Sequence, residues 1–274
     1  MFDQQLAQKA AENLKRLREK RPLIHNITNY VVMNYTANAL LACGASPVMA
    51  HAKEEVEEMV SFAGALVLNI GTLTPTWVDS MLEAGKRANE LNVPIILDPV
   101  GSGATKLRTD SAKRLIDDLK IKVIRGNASE VLSLAHEGSK TKGVDSIHSV
   151  DEASAAASVL ARELSTTLAI TGEVDLITDG ERINRVSNGH ELMGYVTGTG
   201  CTATALIGAF LSVDDDSVEA ATTALAYFGL AGEKGAVKAQ APGSFQMSLL
   251  DALFTIDEEQ LKGGAKIQGS VKFK

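Results

Sequence analysis

The sequence predicts an α/β fold in which a mostly parallel central sheet is covered by helices. Strand-length apolar runs alternate with stretches of helical periodicity along the 274 residues. Several of these runs are apolar at every position, as expected for strands that are buried on both faces. Turn sequences between residues 170 and 187 indicate hairpins, so the sheet is expected to have an antiparallel edge.

The first elements are short and lead into the regular alternation. Leu6, Leu14 and Leu17 recur at helical spacing, and Pro22 ends the helix that they predict. Gly44 closes the second helix. Up to residue 60 we expect helices at 3–20, 30–42 and 54–60, and strands at 23–27 and 46–50.

Strands and helices alternate regularly over the next 75 or so residues. The run at 65–71 is continuously apolar and ends at a glycine, which predicts a buried strand. Pro75 falls in the first turn of the following helix, a position where proline is favoured. We expect strands at 65–71, 94–99 and 122–125, and helices at 75–91, 109–119 and 127–136.

The last part of the chain combines strands rich in β-branched residues with long helices. We expect strands at 166–171, 174–179 and 183–187, and helices at 150–164, 199–212, 216–236 and 243–254. No linker or change of composition divides the sequence. The simplest organisation is one domain over residues 1–265, followed by a peripheral C-terminal tail at 266–274.

Composition excludes several classes of protein. The net charge of −7 is unfavourable for binding nucleic acid or an anionic membrane. Cys43 and Cys201 are too few for a disulfide framework or a cysteine metal site. The first residues lack the pattern of a signal peptide, and no apolar run is long enough to span a membrane. We therefore expect a cytoplasmic enzyme with reduced thiols.

The residues that follow each strand are the first candidates for a site. In open parallel sheets, ligands bind beyond the carboxyl ends of the strands. Polar residues or glycines follow most of the predicted strands. The residues at these positions are Asn26, Met49, Gly71, Asp98, Arg125, Asn127 and Thr171. Met49 is the apolar exception, and a methionine is more typical of a core position.

The segment Thr197-Gly-Thr-Gly-Cys201 leads directly into an apolar helix. Glycines allow close approach of a ligand, and the main-chain N–H groups at the helix start suit a phosphate. The segment is neither a GxxxxGK[ST] loop nor a Rossmann GxGxxG. A turn used only for packing is the alternative. Cys201 lies in the first turn, where the helix dipole is expected to lower its pKa; a buried helix residue is the alternative, and Cys43 is expected in the core.

Carboxylates follow two further strands. Asp98 can hold a metal-bound water near phosphates, or it can simply form an Asp-Pro turn. Asn127 and Glu130 have the spacing of a capping box at a helix start, and they can equally face a metal-bound polyphosphate with Arg125 on a phosphate. Both interpretations of each motif remain open from the residues alone.

Other catalytic patterns are missing from the sequence. No histidine pair has the spacing of a zinc site, and no GxSxG elbow is present, so neither a zinc enzyme nor a Ser-His-Asp hydrolase is predicted. The histidines are His25, His51, His136, His148 and His190.

Seven segments in the same order resemble the hydroxyethylthiazole kinase family of the ribokinase-like superfamily. The segments are 22–30, 44–50, 68–72, 97–103, 125–130, 169–173 and 197–202. The resemblance extends over about residues 5–265 and implies a three-layer α/β/α ribokinase-like fold. It also implies ATP-dependent, Mg²⁺-requiring phosphorylation of the hydroxyl of 4-methyl-5-(2-hydroxyethyl)thiazole, by a homotrimer with thiazole sites at the subunit boundaries.

The resemblance also implies roles for individual residues. The thiazole contacts are Asn26, Met49 and Gly198; the nucleotide contacts are Arg125, Asn127 and Thr171; the Mg²⁺–phosphate acids are Asp98 and Glu130; and the catalytic turn contains Gly198, Gly200 and Cys201. Most ribokinase-like sugar kinases have an aspartate base where this chain has Cys201, so the cysteine separates this sequence from them.

Three other functions remain open. The nearest alternative is a hydroxymethylpyrimidine-type alcohol kinase, because the sequence does not reveal the polarity of the substrate site. A nucleotide-dependent NAD(P)H-hydrate dehydratase would consume ATP without phosphorylating an alcohol, but it needs a larger cleft than this sequence suggests. A non-catalytic nucleotide- or thiazole-binding protein is the third alternative, and the acids Asp98 and Glu130 argue against it.

Overall fold

A single nine-stranded sheet with helices on both faces organises residues 2–135 and 150–269, which are the residues that the computed structural model describes. The strand order is β2-β1-β3-β4-β5-β6-β7-β8-β9. Pairing is parallel from β2 to β6 and antiparallel from β6 to β9, which confirms the predicted sheet. The strands are β1 Leu23–Ile27, β2 Ser46–Val48, β3 Ala65–Asn69, β4 Ile95–Asp98, β5 Val123–Asn127, β6 Thr167–Thr171, β7 Asp175–Thr178, β8 Ile183–Val186 and β9 Ile267–Gln268.

Eleven α-helices connect these strands within the described residues. They are α1 Gln4–Lys20, α2 Met33–Cys43, α3 Val56–Val60, α4 Pro75–Glu90, α5 Lys106–Asp118, α6 Ala128–Leu132, α7 Val150–Leu164, α8 Thr199–Leu211, α9 Ser217–Lys238, α10 Pro242–Thr255 and α11 Glu258–Gly264. A short 3₁₀ helix covers Glu191–Tyr195. None of the helices in the described ranges combines the length and the apolar character needed to cross a membrane.

Two apolar clusters lie on opposite faces of the sheet and make the fold three-layered. Consecutive residues of β3 alternate between them: Val67 packs with α1, α2, α8, α9 and α10, whereas Leu66 and Leu68 pack with α3, α4, α5 and α7. Because these positions are fully buried, the strand is apolar up to its last residue, Asn69. The expected α/β/α arrangement is therefore present.

Caps explain where several helices begin. The Asp3 carboxylate accepts the N–H groups of Gln5 and Leu6 and starts α1. Thr105 caps α5, so this helix begins at Lys106 rather than at 109. Helix α2 begins at Met33 rather than at 30, because residues 29–32 form a turn instead.

The structure differs from the sequence prediction mainly in its C-terminal part. Helix α11 and strand β9 were not predicted. Ile267, placed in the tail by the sequence, is fully buried and pairs with Val186, so residues 267–268 extend the sheet edge rather than lying at the periphery. Helix α6 ends at Leu132; the remainder of the predicted helix reaches His136, which, with His148 and residues 270–274, lies outside the described residues.

Candidate active site

The candidate site lies where the carboxyl ends of β1, β3, β4 and β5 meet the amino-terminal part of α8. Parallel strands end at the same edge of a sheet, and in this sheet Asn69 lies opposite Asp98. Helix α8 packs across β3 and β4. Its Thr204 hydroxyl donates a hydrogen bond of 2.8 Å to the Asp98 carboxylate. The start of α8 is therefore held beside the end of β4.

The first turn of α8 presents main-chain N–H groups that no helix carbonyl accepts. Gly198 precedes the helix with a φ of 85°, and no side chain caps this turn. A Cβ atom on Gly198 would lie 2.6 Å from Cγ1 of Val32. A Cβ atom on Gly200 would lie 2.6 Å from Nη1 of Arg125. Glycine at both positions is what allows the backbone to come this close to its neighbours.

Arg125 places a positive charge beside this turn. Its guanidinium donates to the Thr171 hydroxyl on β6, and its Nη1 lies 3.8 Å from Oδ2 of Asp98. Its side chain is only 11% exposed, and its Nε has no partner among the described residues. Guanidinium groups and helix N-termini both favour phosphate oxygens. Together they form a site suited to an anion.

Asp98 is fully buried and uses one of its two carboxylate oxygens within the protein. Oδ2 accepts hydrogen bonds of 2.8 Å from Nδ2 of Asn69 and from the Thr204 hydroxyl. Oδ1 has no partner in the part of the chain that is described. Burial raises the pKa of this carboxyl, and the neighbouring Arg125 charge opposes that rise.

Glu130 connects two loops through main-chain N–H groups. Its Oε1 accepts from Gly101 over 2.8 Å, and its Oε2 accepts from Asn127 over 2.9 Å. The Asn127 side chain accepts in return from the Glu130 N–H, which completes the capping box. Each carboxylate oxygen keeps a second lone pair, so capping does not prevent Glu130 from facing a hydrated cation.

The donor set formed by Asp98 and Glu130 fits a magnesium ion that keeps most of its waters. Mg²⁺ is usually held by one or two carboxylates together with substrate phosphates. Among residues 2–135 and 150–269, no group of three His, Cys, Asp or Glu side chains could hold a metal by itself. The unpartnered Oδ1 of Asp98 is a group that a metal-bound water would satisfy.

Cys201 lies in the first turn of α8 and is partly buried. Nδ2 of Asn29 lies 3.4 Å from its Sγ atom. Burial, followed by the negative charge of Asp98, raises the pKa of this thiol to about 11. The predicted lowering of this pKa by the helix terminus is therefore wrong, because burial outweighs it. Cys43 is fully buried in the core, as predicted.

A cleft of about 890 Å³ opens beside Arg125 and the first turn of α8, towards β6–β8. This volume is within the range of small-molecule sites. Arg125, Asn127, Thr171 and Gly200 line one part of the cleft, and Phe228 adds apolar surface. The cleft therefore combines an anion site with room for a larger group.

Asp175 is a titratable group in the wall of this cleft. Burial raises its pKa to about 6, although the Gly172 N–H donates to Oδ1 over 3.0 Å. The folded state thus holds this proton more tightly than the unfolded chain, where the pKa is about 3.9. The stabilising contribution of this bound proton is complete below the pKa of the unfolded chain, and it is lost as the pH rises through the folded-state value of about 6.

We expect Asp175→Asn to gain stability relative to the wild-type protein as the pH rises. The amide keeps an acceptor for Gly172 and has no charge to desolvate. Between about pH 4.5 and about pH 8, the difference in unfolding free energy should grow by about 1–2 kcal/mol in favour of the variant. Urea unfolding at both pH values measures it. A difference that does not change with pH would show that Asp175 titrates normally.

Two of the predicted thiazole contacts lie on the other side of α8, near β1 and β2. Asn26 is fully buried; its Nδ2 donates to the Ile24 carbonyl over 2.8 Å, and its Oδ1 has no partner among the described residues. Met49 follows β2 and is partly exposed. Because β2 and β1 lie beyond β3 and β4 from the cleft, Cys201 lies between the two predicted halves of the site.

Asn29, Asn69 and Thr204 were not singled out in the sequence, yet they join Cys201 to Asp98. The two asparagines lie just beyond β1 and at the last residue of β3, so the rule of strand ends could have found them. Thr204 is one of several small residues in an apolar helix, and nothing local distinguishes it.

Arg108 is a further residue that was missed. From α5 it donates to the carbonyls of Ile70, Gly71 and Val100 over 2.7–3.0 Å. It therefore fixes the loops that follow β3 and β4, including the one after Asp98. Its position in a surface helix gives no local signal of this role.

Comparison with known proteins shows the family to which this chain belongs. Residues 14–259 match the hydroxyethylthiazole kinase family. The chain is 66% identical over 261 residues to a hydroxyethylthiazole kinase of Desulfotalea psychrophila, covering 95% of this chain and 96% of that protein. It is 53% identical over 257 residues to the one of Chloroflexus aggregans, covering 94% and 92%.

Solved structures give the same result. A hydroxyethylthiazole kinase from Pyrococcus horikoshii OT3 superposes with a TM-score of 0.88 at 49% identity, covering 96% of this chain and 99% of that one. The pyridoxal kinase from Staphylococcus aureus, at 16% identity and a TM-score of 0.58, covers 78% of this chain and 88% of its own and shares the fold alone. This chain belongs to the hydroxyethylthiazole kinase family.

Proposed function

We propose that this protein transfers the γ-phosphoryl group of ATP to the hydroxyl of 4-methyl-5-(2-hydroxyethyl)thiazole, in thiamine biosynthesis or salvage. The observation that carries this proposal is the juxtaposition of three features beside one cleft. They are the uncapped first turn of α8 and the Arg125 guanidinium, which both contribute to the lining of the cleft, and the buried Asp98 carboxylate, which lies 3.8 Å from Nη1 of Arg125. The relatives named above support the choice of the thiazole alcohol.

In this proposal the nucleotide occupies the cleft on the β6–β8 side. Arg125 and Thr171 hold its phosphates, with Asn127 at the rim. The N–H groups at Gly198–Cys201 stabilise the charge on the transferred phosphoryl group. The alcohol oxygen forms its bond to γ-phosphorus as the bond to the bridging oxygen breaks. The hydroxyl proton passes late to a phosphoryl oxygen, since the transition state is loose.

Asp98 and Glu130 would hold Mg²⁺ through water in this arrangement. When bound, the ion neutralises charge on the β- and γ-phosphates. The protein's own contribution is to hold the Asp98 carboxylate 3.8 Å from Nη1 of Arg125 and to fix Glu130 between two loops. The requirement for Mg²⁺ is part of the proposal.

The thiazole alcohol would lie on the other side of the α8 turn. Met49 offers apolar surface, Asn26 helps to orient the ring, and Gly198 forms the wall next to the hydroxyl. Cys201 lies between this region and the cleft. Because its pKa is raised to about 11, Cys201 is a neutral thiol near pH 7 and contributes position more than basicity.

We expect Cys201→Ala to lower kcat by about 10- to 100-fold, well below the upper range of a general base. The main-chain donors and Arg125 remain in place in this variant. Steady-state kinetics with saturating ATP measure the loss. Cys43→Ala is the matched control, since the same change in the core should leave kcat unaltered. A loss beyond about 10⁴-fold would show that the thiol itself removes the proton.

A panel of alcohols tests the function itself. The protein is incubated with ATP, Mg²⁺ and either the thiazole alcohol, hydroxymethylpyrimidine or hydrated NADH, and products are identified by mass spectrometry. We expect a phosphate adduct of the thiazole alcohol. A pyrimidine adduct would favour the related alcohol kinase, and conversion of hydrated NADH with ADP release would favour the dehydratase. No turnover with any of them would favour a binding protein.

We also propose that the protein is a homotrimer with its thiazole sites at the subunit boundaries. Helices α2 and α10 pack against each other and expose large apolar side chains. These include Val31 just before α2, Leu41, Met247 and Phe254, each at least 59% exposed. Such surface is expected where copies of a chain meet. Light scattering after gel filtration tests the trimeric state, and a monomeric mass would contradict it.

The cytoplasmic location stays a prediction.

A further inference from the structure

We propose that Asn29 is a positioning residue: it donates a hydrogen bond to the sulfur of Cys201 and so holds the sulfur in place. The hydrogen bonds that run from Asp98 through Asn69 fix which end of the Asn29 amide faces the sulfur. The inference rests on the proposed function in one respect, namely that Cys201 lies beside the alcohol. The hydrogen bonds themselves belong to the structure and do not depend on the substrate.

The Asp98 carboxylate fixes the direction at one end of this chain of amides. Oδ2 of Asp98 is an acceptor in this structure, because the Thr204 hydroxyl donates to it over 2.8 Å. Asn69 must therefore present Nδ2 to Asp98, at 2.8 Å, and so presents Oδ1 to Asn29. Asn29 donates a hydrogen bond to that oxygen through its own Nδ2, over 2.9 Å. The same Nδ2 lies 3.4 Å from Sγ of Cys201.

Main-chain groups fix the same direction independently. The N–H of Gly71 donates to Oδ1 of Asn69 over 2.9 Å, and the N–H of Val31 donates to Oδ1 of Asn29 over 3.2 Å. A flipped amide at either asparagine would place two donors face to face. Three separate groups, namely the Asp98 carboxylate and the N–H groups of Gly71 and Val31, therefore require the same orientation of the two amides. Both asparagines are buried.

The sulfur of Cys201 consequently meets an N–H donor on its Asn29 side. A thiol has one S–H donor and can accept at its lone pairs, so the S–H bond must point elsewhere. The amide holds the sulfur in place and also favours its charged form. Hydrogen bonds from Asn29 and Asn69 lower the pKa of Cys201, against the larger effects of burial and of Asp98.

Alkylation of Cys201 tests this inference without any substrate. Asn29→Asp has the same shape but presents an acceptor, and it adds a negative charge beside the sulfur. We expect iodoacetamide to label Cys201 about tenfold more slowly than in wild type at a fixed pH of about 8.5. Asn29→Leu removes the donor without adding a charge, together with the hydrogen bonds of Asn29 to Asn69 and Val31, and we expect a decrease of about three- to tenfold. Peptide mass spectrometry separates Cys201 from Cys43.

Asn38→Asp is the control for charge, because Asn38 is exposed on α2 and, among the described residues, its side chain bonds only to Asn34. It should label at the wild-type rate. Circular dichroism shows which variants fold. If Asn29→Asp does not fold, the labelling rate of Asn29→Leu decides the question. Labelling of the folded Asn29 variants at or above the wild-type rate would overturn the inference.

A double-mutant cycle then separates positioning from a general structural effect. If Asn29 acts through the sulfur, Asn29→Leu should lower kcat about five- to tenfold in wild type and have no further effect in Cys201→Ala. The KM for ATP should stay constant. Losses that multiply would contradict the inference. If the wild-type protein phosphorylates no alcohol, the proposed function fails while the alkylation rates still decide the role of Asn29.

Discussion

Replacing Asp98 by asparagine should lower kcat by about 10³-fold while leaving the affinity for the thiazole alcohol nearly unchanged. The fold should tolerate this change. The amide oxygen can still accept from Asn69 and Thr204, which use only Oδ2 of Asp98. What disappears is the negative charge that, in the proposed arrangement, would face the phosphates and their cation, and charge stabilisation is the largest contribution to this kind of reaction.

The kinetic loss should appear in kcat and in the KM for Mg·ATP, and calorimetric titration should give an alcohol Kd within about threefold of the wild type. Asp110→Asn is a matched control, because Asp110 is an exposed residue of α5 whose one ion pair within the described part of the chain is with Lys106. It should have no effect. Full turnover in Asp98→Asn would remove Asp98 from the mechanism.

Gly198→Ala should lower kcat by about 10²- to 10³-fold, the range seen when one hydrogen-bond donor to a developing anion is removed. The φ of 85° is unfavourable for alanine, by about 1–2 kcal/mol. The new methyl group would also meet Cγ1 of Val32 at 2.6 Å. The turn must therefore shift, and its N–H groups shift with it.

Two further variants separate these causes. Gly263→Ala adds a methyl group in α11, where no atom of the described residues outside that helix lies within 4 Å, and it should leave kcat unchanged. Adding Val32→Ala to Gly198→Ala removes the steric contact but not the backbone strain, so activity should return only in part. Wild-type kcat in Gly198→Ala would show that the geometry of this turn does not matter for transfer.

The elements predicted best are those whose signal is local. The apolar run of β3 and the proline at the start of α4 specify their structure without reference to distant residues. Strand β9 could not be predicted in this way, because it has two residues and gains its stability from pairing with Val186. The start of α2 was misplaced because Asn29 forms side-chain contacts that compete with the helix.

Much the same distinction applies to the candidate site. Asp98, Arg125 and Gly198 were found because strand ends and glycine turns have a recognisable pattern. The contact between Asn29 and Cys201 joins residues 172 positions apart, and no local pattern reports it. The predicted direction of the Cys201 pKa shift was wrong, because the sequence shows the helix terminus but not the depth of burial.

The central claim is that the first turn of α8 binds the phosphoryl group during transfer. A crystal structure with Mg·ADP, a metal-fluoride mimic of that group and the thiazole alcohol tests it most directly. We predict that the fluorides accept hydrogen bonds of about 2.7–3.1 Å from main-chain N–H groups within Gly198–Cys201, with the alcohol oxygen in line with the leaving oxygen. A mimic bound away from this turn, with these N–H groups unused, would contradict the account.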